Sequence, residues 1–88
     1  MTPPRKDPAR FVETAIEDEV VVMNLDSGDF FSMTGTARSI WRLIDGERTR
    51  DAIVATLAAA HDAPADTLAD EVDGFLAELR AAGLIAAG

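Results

Sequence analysis

The chain contains no cysteine. Disulfide bridges, thiolate metal sites and cysteine nucleophiles are therefore excluded, and stability has to come from a packed core. Histidine is nearly as scarce, with one residue, His61. It falls at the end of an expected helix and reads as a surface or capping residue rather than a ligand or base. A metal site needs several convergent ligands, and no spacing supplies them. Ser27 and Ser32 have no histidine near them in sequence. The pair Asp66 and Asp70 lies on a solvated helix face, without the burial that tunes a carboxyl for proton transfer. Gly28 and Gly35 are seven apart and no lysine–hydroxyl pair follows them, so SGDFFSMTG is not a phosphate loop. No catalytic residue, cofactor site or metal site is expected, and the chain is not expected to be an enzyme.

Positive charge is also in short supply. Eight Lys and Arg face sixteen Asp and Glu, a net charge of −8. Nucleic-acid binding depends on basic side chains that neutralise phosphates, so nucleic acid is not an expected partner. The charge is unevenly placed. Arg5, Lys6 and Arg10 make the N-terminus basic, whereas Asp62, Asp66, Asp70, Glu71, Asp73 and Glu78 stand against Arg80 alone from residue 62 onward. That last third either attracts a basic peptide or basic protein patch or simply solvates a helix face. No stretch approaches the roughly 20 apolar residues of a membrane helix. The opening MTPPRKDPARF has charges without a following apolar segment, so it is not a secretory signal. A soluble, cytoplasmic protein without a membrane partner is expected.

What is present is a change of pattern near residue 34. Residues 1–10 hold three prolines and four charges and are expected to be a flexible tail; residues 11–88 are expected to form a single domain. Residues 11–16 read as a strand. Residues 19–25, EVVVMNL, are a β-branched run and a second strand. Asp26, Ser27 and Gly28 make a turn, with Gly28 supplying a positive φ. Residues 29–33 return as a third strand. Alternation puts Phe31 and Met33 on one face and Phe30 and Ser32 on the other. Phe30 is then either partly exposed or packed beneath the N-terminal tail.

Three helices follow. Thr34 is placed to cap the first, whose apolar face is Ala37, Ile40, Trp41 and Ile44. Ile40 and Trp41 are expected in the core. Asp45 and Gly46 end the helix. Thr49 caps a second, with a stripe of Ile53, Val54 and Leu57 among alanines. Pro64 opens the third, which runs to residue 82 with Leu68, Val72, Phe75, Leu76 and Leu79 as its stripe. Gly83 ends it, and Leu84 and Ile85 fold back on the core. Gly74 interrupts this helix at a cost of about 1 kcal/mol relative to alanine; it either admits a close backbone or sits idle on a solvent face. The expected fold class is α+β, an N-terminal three-stranded antiparallel sheet followed by three helices, winged helix-turn-helix-like.

The segment VVVMNLDSGDFFSMTGTARSIWRLIDG, residues 20–46, resembles the PqqD-like family. The shared features are the apolar strand at 21–25, Asp26 and Gly28 at the turn, the aromatic pair Phe30 and Phe31, the step Met33-Thr34, the pair Ile40 and Trp41, and the ending Asp45-Gly46. The closing FLAELRAAGLI, residues 75–85, is also similar to the family's last helix and terminal apolar pair. The family's usual Leu-Asn step is Met33-Thr34 here, which keeps an apolar plug and a cap acceptor. The resemblance covers residues 11–85.

The resemblance implies a recognition element for ribosomally made, post-translationally modified peptides (a RiPP recognition element), here free-standing. Such a domain binds the leader of a precursor peptide as an added strand beside the third strand and against the third helix. It then presents the peptide to a modifying enzyme or leader peptidase. A radical SAM enzyme, as in the pyrroloquinoline quinone (PQQ) pathway, and a lasso-peptide protease or cyclase are the implied classes of partner. The implied edge is Asp29, Phe30, Phe31, Ser32 and Met33. The implied groove wall is Leu68, Val72, Phe75 and Leu79, some of which are core; Phe75 and Leu79 are expected to be mainly so. Asp70 and Glu71 at the rim are suited to Lys or Arg on the leader. The rival readings are an acidic winged-helix transcriptional regulator, hinted at by Arg48 and Arg50, and a non-catalytic structural subunit of a biosynthetic enzyme. An acyl or peptidyl carrier needs a serine in a context such as Asp-Ser-Leu, which does not occur.

Overall fold

A short 3-10 turn, Pro8–Arg10, precedes three strands in the computed structural model, which describes residues 3–86. Met1, Thr2, Ala87 and Gly88, which the expected tail and domain include, lie outside the described residues. The strands are β1 (Phe11–Ile16), β2 (Glu19–Asn24) and β3 (Phe30–Met33), and the helices are α1 (Gly35–Leu43), α2 (Arg50–His61) and α3 (Ala65–Ala81). The sheet is antiparallel in the order β1-β2-β3. This is the expected α+β architecture.

The second hairpin turn is organised by one side chain. Asn24 Oδ1 accepts the backbone N–H groups of Asp26 and Ser27, at 2.8 and 3.3 Å. The Gly28 N–H donates to the Asn24 carbonyl at 2.7 Å, with Gly28 at φ 79°. An Asn that caps its own turn stops the strand there, so β2 ends at Asn24 rather than Leu25. The amide does more: its Nδ2 donates to the Ala82 carbonyl at 2.7 Å, tying the hairpin to the C-terminal end of α3. Among the described residues, Asn24 is the buried polar one, and these bonds offset its desolvation.

One face of the sheet is inner. Phe11, Val20, Val22 and Met33 are buried there, and the helices supply Ile40, Trp41, Ile53, Leu57, Val72 and Leu76. Trp41 is fully buried, as its apolar position on α1 requires. Phe11 meets its ring edge-on at 5.3 Å and 70°. The indole N–H donates to Glu13 Oε1 at 3.0 Å, so its one polar group is not orphaned.

The helix termini follow the sequence in part: α1 stops at Leu43, with Ile44 at the C-cap, short of the expected Asp45-Gly46 ending, and Pro64 takes the N-cap of α3 rather than its first turn. Thr49 Oγ1 accepts the Ala52 N–H at 3.2 Å and caps α2. Thr34 occupies the N-cap position of α1 with extended backbone, yet its hydroxyl makes no capping bond. Beyond α3, Gly83 at φ 76° turns the chain, the Leu84 N–H donates to the Leu79 carbonyl at 3.0 Å, and Leu84 and Ile85 enter the core.

Residues 3–10 depart from the expectation of a flexible tail. Lys6 bridges to Ile85 as an isolated antiparallel pair. Asp7 N–H donates to the Leu84 carbonyl, Ala86 N–H to the Arg5 carbonyl, and Gly46 N–H to the Pro4 carbonyl, at 3.0, 2.8 and 3.2 Å. Pro4 is buried. Lys6 Nζ sits 4.4 Å from the centroid of the Trp41 ring. Burial pushes the Lys6 ammonium below the usual lysine range, against the attraction of Glu13. The arm thus closes over one flank of α1.

Candidate functional site

The opposite flank of α1 is open. Between α1 and α3 lies a cleft of about 410 Å³, lined by Thr34, Thr36, Ala37 and Ile40 on one side and Asp70, Glu71, Gly74, Phe75 and Glu78 on the other. The α3 contribution follows from helix geometry. Glu71, Gly74, Phe75 and Glu78 are spaced three, four and seven apart and share a face. Two things keep the cleft open. Gly74 has no side chain, and a Cβ built there would meet nothing within 4 Å. Ala37 across the way is small. Of the two readings the sequence left for Gly74, close approach of another segment of this chain is excluded; instead its bare backbone forms part of the cleft wall.

The lining is chemically one-sided. Three carboxylates, Asp70, Glu71 and Glu78, border it without a lysine or arginine, and Thr34 and Thr36 add hydroxyls. Phe75, half-buried, supplies an aromatic surface beside Gly74. Such a wall suits a ligand with a cationic group and an apolar body.

The cleft is continuous with a sheet edge. In the order β1-β2-β3, β3 is paired on one side only, with β2. Thr34, which lines the cleft, follows directly on Met33, the last residue of β3. An unpaired strand edge presents N–H and C=O groups to an extended chain, and here that edge leads to the cleft mouth.

The structure divides the residues named from the sequence. Asp70, Glu71 and Phe75 line the cleft. Leu68, Val72 and Leu79 do not: they are 5%, 0% and 0% exposed and belong to the core. Sealed among the core residues, they present no surface to a groove. Phe75, expected to be mainly core, is the member of the stripe that reaches the surface. On β3, Met33 is 1% exposed and plugs the core, and Phe31 packs partly against it. Phe30 is 70% exposed on the outer sheet face rather than beneath the arm. Ser32 is exposed on that same face, where its hydroxyl donates to Glu19. Asp29 precedes the strand, and its carbonyl accepts the Asn24 N–H at 2.8 Å. Thr34 and Ile40, which the sequence marks as a cap and a core residue, also line the cleft. Thr36, Ala37, Gly74 and Glu78 join the site only in the fold. The helix-breaking cost of Gly74, flanked at matching spacing by Glu71 and Glu78, was the available signal.

The basic residues that hinted at a nucleic-acid surface are already paired. Arg48 meets Asp45 at 2.6 Å, and Arg50 grips both oxygens of Asp73 at 2.7 Å while also touching Asp51 at 2.9 Å. The Arg50 fork holds the Asp73 carboxyl below its usual range and raises its own pKa. Among the described residues, no three His, Asp or Glu side chains gather as metal ligands would.

Comparison with known proteins adds three findings. A sequence profile of the family described as coenzyme PQQ synthesis protein D (PqqD) matches residues 19–85 of the 88. A comparison with curated proteins finds no match. Among solved structures, TbiB1 in complex with the TbiA(beta) leader peptide superposes with a TM-score of 0.84 over 96% of each chain, at 24% identity. At that identity the likeness establishes the fold.

Proposed function

The chain belongs to the PqqD family, and on that premise we propose that it is a non-catalytic adaptor that binds the leader of a ribosomally made precursor peptide. It presents that peptide to the enzyme that modifies or cleaves it, in the cytoplasm. The observation that carries the reading is the open β3 edge running into an acidic, glycine-notched cleft. The likeness to a fold solved with a leader peptide supports it.

The chemistry divides between backbone and side chains. An extended leader adds as a fourth strand along residues 30–33, and main-chain bonds supply affinity without reading sequence. Selectivity comes at the cleft. An apolar or aromatic leader side chain rests on Phe75 and the bare Gly74 backbone, and a Lys or Arg beside it meets Asp70, Glu71 or Glu78. No bond is made or broken by this chain. Binding raises the effective concentration of the precursor at its enzyme.

The test is fluorescence anisotropy with a labelled synthetic leader taken from a precursor gene beside this one, against a scrambled control. Saturable binding is expected, weakened by salt and by Glu71→Lys. Equal binding of leader and scrambled peptide, or none with the domain folded, would overturn the reading.

A further inference from the structure

The sheet has a second face, which the helices do not cover. The register sets Val12, Met23 and Phe30 side by side across all three strands. Val12 is 49% exposed, and Ile16, farther along the same face of β1, is 53% exposed. With Phe30 they form an apolar array on the side of the sheet away from the core. Monomeric proteins seldom leave such an array uncovered without a use for it.

Charge specifies what covers it. Residues 11–33 contain six carboxylates, Glu13, Glu17, Asp18, Glu19, Asp26 and Asp29, and no lysine or arginine. Three have partners within the fold: Asp26 pairs with Arg10 at 2.6 Å, Glu13 accepts the Trp41 N–H, and Glu19 accepts the neutral Ser32 hydroxyl and so keeps its charge uncompensated. Glu17, Asp18 and Glu19 cluster at one end of the strands and Asp29 stands at the other, so the apolar array is bordered by negative charge. The shape matters as well. An extended peptide takes an edge or a groove, whereas side chains spread over three strands, each about 4.8 Å from the next, match a broad folded surface.

We propose that this outer sheet face docks the enzyme that acts on the bound leader, through an apolar patch on that enzyme bordered by lysine or arginine. The inference rests on the adaptor reading: an adaptor needs one surface for the peptide and another for the enzyme. The cleft faces α1 and α3, and the array lies beyond the sheet. Both can then be occupied at once.

The experiment pairs two titrations of the same purified protein. One uses the labelled leader. The other uses the purified modifying enzyme or leader peptidase encoded beside the precursor gene, followed by isothermal titration calorimetry at two salt concentrations. Val12→Lys/Ile16→Lys removes apolar surface and sets positive charge against the basic border. It is expected to weaken enzyme binding at least about tenfold and leave the leader affinity unchanged. Val12→Thr/Ile16→Thr, which keeps the β-branched shape, guards against a folding failure and is expected to weaken enzyme binding to a lesser degree. Wild-type-like enzyme binding by both variants, or no enzyme binding by the wild type, would sink the proposal. So would a leader affinity that falls with the double variant, which assigns the face to the peptide. A wild-type dimer in sedimentation that the variants dissociate would assign the face to a second copy and likewise refute it. Enzyme binding that holds while the leader fails to bind removes the adaptor reading alone.

Discussion

The two flanks of α1 are built from adjacent residues and behave oppositely. Toward β1, Trp41 is sealed: Phe11 meets its edge, Lys6 lies over its face and Glu13 takes its N–H. Toward α3, Ala37 and Ile40 look across a gap at Gly74 and Phe75. One flank spends its large side chain on packing, and the other uses a small residue and a missing one to stay open. In so small a domain, a single helix serves as both a fastener and a wall, and the division lies within one helical turn.

Breaking the closed flank has the largest expected effect. Trp41→Ala empties a packed site and should cost about 3–5 kcal/mol, read as a lower midpoint in urea unfolding. A loss under about 1 kcal/mol would mean that the arm and β1 hold that flank without the indole. The open flank should respond in the reverse sense. Gly74→Ala is expected to stabilise α3 by up to about 1 kcal/mol, since nothing stands within 4 Å of its Cβ. Gly74→Leu should keep that stability yet block the cleft, weakening leader binding by tenfold or more, an order-of-magnitude figure for a central contact. If Gly74→Leu binds leader normally, the cleft is not the site. Thr49→Ala, remote from both flanks, should cost about 1 kcal/mol of stability through its lost cap and leave leader affinity alone.

Acid and base offer gentler probes of the same contrast. Asp45, held down by the backbone N–H groups of Arg48 and Glu47, and Asp73, held down by Arg50, both have folded-state pKa values below the ordinary range. Their stabilisation is complete above the unfolded carboxylate pKa of about 3.9 and is lost as pH falls through the lower folded values. Urea midpoints measured from neutral pH downward should therefore drop below about pH 4, and Asp73→Asn should flatten part of that slope. Lys6 acts in the same sense in an alkaline window. Its folded pKa is lowered by burial, so stability should rise as pH climbs from that value toward about 10.4, the unfolded pKa. Lys6→Met should abolish the rise. This is the smallest effect, because the cation–ring contact on Trp41 works against the burial cost.

The contrast between flanks also marks what the sequence could and could not convey. Strand β1 was legible to the residue, because the strand formers Phe11 and Val12 and the turn near Asp18 are local signals. The capping of α2 by Thr49 was legible for the same reason. The α3 stripe was legible as a stripe, but not its partition: periodicity places Val72 and Phe75 on neighbouring positions of one face, and only the partner elements decide that Val72 is sealed while Phe75 borders the cleft. The arm was misread because its bonds run to Gly46, Leu84 and Ile85, partners that local composition does not reveal. Asn24 escaped notice likewise. Its turn-forming tendency is local, and its bond to Ala82 is not.

That pairing of the arm has a further consequence. Arg5 and Ala86 share a hydrogen bond, and Lys6 pairs with Ile85, so the start and finish of the described chain lie side by side. A domain whose ends meet can be spliced into a surface loop of another protein, or have its ends joined and be reopened elsewhere, with little disturbance to its core. The same β-bridge that fastens the arm gives this module the form of a cassette.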